Sequence, residues 1–179
     1  MASATHEHHL NIRAAGKTYS LDFRQAFRFG YTLLRTRKFK DAASVFEAMM
    51  RLGDHDHLAA IMLAYCKAGL KDYAASNALL CEAFGDGEKT KAEQLHATFV
   101  YLSLQMWPDA VQELTAMARE CPDLPVICLL LGDLLVIQRR RTKAILCWRL
   151  AVARDHNDGA VAAVARQLVS SQTKSHTSP

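Results

Sequence analysis

The sequence predicts an all-α fold of about four helix pairs stacked in a row, with one further helix capping the C-terminal end. Three observations carry this expectation. Small residues recur at a helical-repeat interval: Ala42, Ala74, Ala110 and Ala144 are 32, 36 and 34 residues apart. Four residues after each stands Phe46, Ala78, Leu114 or Trp148, and three further on Met49, Cys81, Met117 or Ala151. Finally, half of the 179 residues are apolar, helix formers dominate, and 8 Gly and 4 Pro fall mostly where turns are expected. An alanine where two helices cross lets their axes approach, and the large residue that follows fills the space toward the next repeat.

The elements follow in order. Residues 1–20 read as a polar, flexible arm. Helical signals then pair as 21–36 with 39–51, 56–68 with 71–84, 89–105 with 107–120, and 125–138 with 141–154. Gly53-Asp54, Gly69, Gly85-Asp86-Gly87 and Pro122 mark breaks, while Pro108 and Pro125 suit first helical turns. A last helix over 159–169 carries Val161, Val164, Ala165 and Leu168 on one face and would seal the stack. The repeat domain is therefore expected over 21–169, with a disordered polar tail over 170–179.

Four strings carry a resemblance: Phe39-Lys-Asp-Ala42, Lys71-Asp-Tyr-Ala74, Trp107-Pro-Asp-Ala110 and Arg141-Thr-Lys-Ala144. Upstream of them, Phe29-Gly30, Ile61-Met62, Ala97-Thr98 and Leu131-Gly132 fall where a Leu-Gly pair would stand. Over residues 23–157 the chain resembles the tetratricopeptide repeat family, which implies a right-handed superhelix whose first helices line a concave groove. The run Phe39 to Asp56, with Ala64-Tyr65-Cys66 and Leu70 to Tyr73, is also similar to type III secretion chaperones that hold translocator subunits. That likeness implies a cytoplasmic protein gripping an extended apolar segment of its client.

The tetratricopeptide resemblance places Phe27, Tyr31 and Leu34 of the first repeat and Leu63 of the second in the groove. The third repeat offers Leu95, His96, Phe99 and Leu102, and the fourth Asp133. Relatives that clamp a terminal carboxylate use Lys, Asn and Arg at positions that here hold Phe27, Tyr31, Ala60, Ala92 and His96, so that mode is disfavoured. An apolar strip suits an extended or helical segment with hydrophobic anchors, with Phe27, Tyr31 and Phe99 foremost. The expected function is a non-enzymatic adaptor or chaperone, and the alternative is an assembly protein that self-associates, for instance as a homodimer.

Other features point to bland roles. His6, His8 and His9 stand on the polar arm, and Asp54-His55-Asp56-His57 falls in a turn where an aspartate would cap a helix. No metal or other cofactor is expected, nor an enzyme: no Gly-rich phosphate loop or nucleophile–base motif stands out. Arg139-Arg140-Arg141 with Lys143 is the compact basic run, but no stacking platform accompanies it, and a nucleic-acid partner is not expected. No apolar run reaches the ~18 residues of a membrane span, so no membrane partner is expected either. Five unpatterned cysteines and an N-terminus without a secretory signal suggest the reducing cytoplasm.

Overall fold

The computed structural model describes residues 10–14, 16–51, 57–155 and 159–174. Among them, a β-hairpin precedes nine α-helices. The strands are β1 (Leu10–Ala14) and β2 (Lys17–Leu21). Four helix pairs follow: α1 (Phe23–Arg35) with α2 (Phe39–Met50), α3 (His57–Gly69) with α4 (Tyr73–Phe84), α5 (Lys89–Ser103) with α6 (Trp107–Glu120), and α7 (Pro125–Ile137) with α8 (Arg141–Arg154). The last helix is α9 (Ala160–Lys174). Each helix packs on the next, so the chain is an all-α helical repeat with a small β addition.

The hairpin corrects the expected arm over its second half. Leu10 pairs with Leu21 and Ile12 with Tyr19, which puts four apolar residues on one face. That face lies on the first repeat: β1 against α2, β2 against α1, with Leu10 and Ile12 buried and Tyr19 packed on Phe29. A polar strand with one apolar face needs only a neighbour to cover it, and the first helix pair supplies one. Residues 1–9, with His6, His8 and His9, lie outside the described residues, as do Asp54, His55 and Asp56. At the other end, helix α9 runs to Lys174, so the tail expected from residue 170 is helical for its first five positions.

Local chemistry explains the helix boundaries. Asp22 opens α1 with a capping box: its carboxylate accepts from the Gln25 N–H at 2.8 Å, and Gln25 Oε1 accepts from the Asp22 N–H. Asp155 Oδ2 accepts the Ala162 N–H at 2.7 Å and ties α8 to the start of α9. Within each pair the turn is the same. The residues at 37, 71, 105 and 139 are left-handed, with φ of 59°, 65°, 61° and 60°. In the first pair Lys38 donates to the Leu33 carbonyl and Arg37 to that of Leu34; in the last, Arg140 donates to Leu135 and Arg139 to Val136. This double bond pattern is a Schellman stop, here repeated four times without a glycine.

Those turns fix the repeat at 34 residues, and that register corrects the second repeat. The crossing position is Ala42, Ser76, Ala110 and Ala144, all buried, whereas Ala74 and Ala78 are exposed. The next position down is Phe46, Leu80, Leu114 and Trp148, each fully buried. Opposite them stand Gly30, Ala64, Thr98 and Gly132. A Cβ on Gly30 would come within 2.9 Å of Phe46 Cζ, and one on Gly132 would strike the Trp148 indole. In the second repeat Ala74 and Ala78 imitate the pattern two residues early, while the true small residue is Ser76.

Candidate functional site

The groove expected from the resemblance is filled by the protein itself. Phe27, Leu95 and Phe99 have no exposed surface, Tyr31 has 1%, and Leu34, Leu63 and Leu102 have no more than 4%. The expectation that Phe27, Tyr31 and Phe99 lie open as anchors is therefore corrected. His96 is half-buried, its Nδ1 has no hydrogen-bond partner, and burial lowers its pKa. The physical reason is curvature. Helix α9 packs not only on α8 and α7 but also on α1, so the last helix bridges back to the first repeat. The inner helices then meet one another where a groove would lie.

The meeting point is one repeat position seen four times: Tyr31, Tyr65, Phe99 and Asp133 stand 34 residues apart on α1, α3, α5 and α7. Tyr65 and Phe99 stack with ring centroids 5.0 Å apart and planes 12° from parallel. Tyr31 stacks on Phe27 at 5.9 Å and donates its hydroxyl to Asp133 Oδ2 at 3.0 Å. Arg35 Nε reaches the same oxygen at 2.8 Å. Two residues of the first repeat thus hold one of the fourth, 102 and 98 positions away.

Burial sets the electrostatics here. It pushes the Asp133 pKa from its ordinary 3.8 to about 6, with the Arg35 guanidinium and the Tyr31 hydroxyl pulling back toward ionisation. Asp133 Oδ1 has no hydrogen-bond partner, and a largely buried carboxylate with one satisfied oxygen is costly to ionise. Burial raises the Tyr31 pKa first, and the nearby Asp133 charge raises it further. Tyr65 is raised as well, again chiefly by burial. None of these groups is poised as a nucleophile, and among the described residues no three His, Cys, Asp or Glu side chains group to hold a metal.

An open recess lies elsewhere, between the hairpin, α1 and α9. It encloses about 640 Å³. Tyr19, Leu21 and Phe29 make its apolar wall, and Gln25, Arg28, Thr32 and Gln167 its polar rim. Of these only Phe29 belongs to the repeat pattern legible in the sequence. The signal for the rest was the period-two alternation on either side of Gly16, which marks a hairpin able to wall off one side of α1. Tyr65 was equally legible once the interval is held at 34.

No family model and no curated protein matches the chain. Among solved structures it is similar to a chain described as "MamA RS-1 ArsTM double mutant", at 18% identity over 87% of this chain and 97% of that one, with a TM-score of 0.38. So distant a likeness carries no argument here, and the repeat architecture rests on the coordinates and the 34-residue register. Among the described residues no helix is long and apolar enough to cross a membrane.

Proposed function

We propose that the protein is a non-catalytic interaction module that grips an apolar segment of a protein partner in the recess between the hairpin, α1 and α9. One observation carries this reading: the axis is packed shut, whereas the recess leaves an aromatic and aliphatic wall beside a cationic, amide-bearing rim. One or two apolar side chains of a partner fit such a volume, and burying each yields roughly 1.5–3 kcal/mol before ordering costs. Arg28 and the two glutamines can hold the partner's backbone or a flanking acid. The five free cysteines fit a reducing compartment such as the cytoplasm.

The type III secretion chaperone reading places the client in the concave face. In this closed array a client could enter only by displacing Tyr31 from Asp133 and Phe99 from Tyr65. The recess reading needs no such rearrangement. Selection of a random peptide library against the immobilised protein tests it. Enriched peptides should share an aliphatic or aromatic anchor and lose binding to Phe29→Ser and Arg28→Glu variants. Enrichment that survives both changes and is lost in Phe99→Leu would return the site to the axis.

A second reading is self-association, favoured by Leu146 and Leu150, which are 59% and 40% exposed one turn apart on α8. Sedimentation of the wild type and of Leu146→Ser distinguishes it: a dimer lost in the variant supports it, and a monomer in both removes it.

A further inference from the structure

The four turns that join first to second helices lie at one end of the array, because each helix pair is antiparallel and the pairs stack in sequence. The contacts of Tyr31 and Arg35 with Asp133 tie the C-terminal half of α1 to that of α7, which draws the first and fourth turns toward each other. The first turn presents Arg37, Lys38 and Lys40, and the fourth Arg139, Arg140 and Lys143, all exposed. Two basic segments about a hundred residues apart in sequence are thereby merged on one face. The second turn adds Lys71.

The same face carries most of the large apolar side chains that the fold leaves in water. Leu70 is 46% exposed in the second turn, Leu104 and Met106 are 55% and 40% exposed in the third, and Ile137 is 55% exposed at the fourth. Three acids accompany them, Asp41, Asp72 and Asp109, and Asp72 is engaged as a helix cap at 3.2 Å from the Ala75 N–H. The backbone adds an independent sign. Glycine fits a left-handed stop without strain, yet three of the four such positions hold Arg37, Lys71 and Arg139. Cations stand where stability alone would favour glycine.

We propose that this turn face docks on a lipid surface bearing anionic headgroups, with the cations against the phosphates and the aliphatics at the headgroup–acyl boundary. Clustered Lys and Arg supply the long-range attraction, and exposed aliphatics spread over three separate turns supply shallow insertion. A nucleic acid would use the cations but leave the aliphatics wet, and the aromatic residues at these turns, Phe39, Tyr73 and Trp107, are half-buried rather than open as a stacking platform. Peripheral contact of this kind requires no membrane-spanning helix.

Flotation of the full chain with vesicles tests the proposal, comparing phosphatidylcholine alone with phosphatidylcholine containing roughly a third phosphatidylserine. Binding is expected to the mixed vesicles only, weakening as salt rises. A triple variant, Arg37→Gly, Lys71→Gly and Arg139→Gly, should lower partitioning on the order of 100-fold while its melting temperature stays level or rises. Leu104→Ser with Met106→Ser should lower it several-fold, and Leu146→Ser with Leu150→Ser should leave it unchanged. Failure of the wild type to float, or triple-variant binding equal to wild type, overturns the proposal. So does tighter capture by duplex DNA or polyglutamate that is indifferent to Leu104→Ser with Met106→Ser.

Discussion

Two seams of this array use the same repeat position in opposite ways. Between the second and third repeats, neighbours in sequence, the position holds Tyr65 and Phe99, stacked face to face. Between the first and fourth, the position holds Tyr31 and Asp133, joined by a hydrogen bond and braced by Arg35. The first seam is held mainly by area removed from water and tolerates small shifts. The second depends on direction, and so specifies which ends meet and how far the array curls. Adjacent repeats need adhesion, whereas the ends need an address.

The seams should differ most in what their loss costs. Phe99→Ala empties a site with no exposed surface and should destabilise by about 3–5 kcal/mol in denaturant titrations. The closing seam should respond instead to pH. An acid whose pKa is higher folded than unfolded binds its proton more tightly in the fold. The stability it contributes is therefore full below about 3.8 and lost as pH rises through about 6. The protein should be more stable near pH 5 than at pH 7.5, by about 1.4 kcal/mol from this group. Asp133→Asn should flatten that slope in thermal melts taken across the same range.

Smaller effects sharpen the contrast. Arg35→Ala leaves a largely buried carboxylate without its cation and should cost about 1–2 kcal/mol at pH 7.5, less at pH 5 where Asp133 is mostly protonated. Arg35 is itself 41% exposed, so the cost stays below that of a fully buried pair. Outside both seams, Ser76 occupies the crossing position held elsewhere by alanine, and its buried Oγ has no partner. Ser76→Ala should therefore stabilise, by about 1 kcal/mol, visible as a raised melting temperature.

Much of the fold was legible in the chain because its determinants are local. Asp22 with Gln25, Pro108, Pro125 and the recurring small and large pairs fix where helices start and how each crosses the next. The hairpin was legible in principle, from alternation in Leu10-Asn-Ile12 and Thr18-Tyr-Ser-Leu21 about Gly16, but a two-stranded ribbon declares itself only with a partner for its apolar face. The filled axis was not legible. An inner-helix tyrosine reads the same whether it faces a client or a fellow repeat, and only the curvature summed over four repeats decides. Asp133 is expected in the groove from its repeat position; that Arg35 binds it across 98 residues is a property of closure.

Closure is the claim on which the rest depends, and one distance tests it most directly. Bio-orthogonal spin labels placed at Lys38 and Arg140, both exposed, report the gap between the first and fourth turns in solution while the native cysteines stay untouched. The closed array predicts a single narrow distribution at short range that persists in Ser76→Ala. A broad distribution at long range in the wild type would contradict it, leaving an open stack with Tyr31 and Asp133 apart.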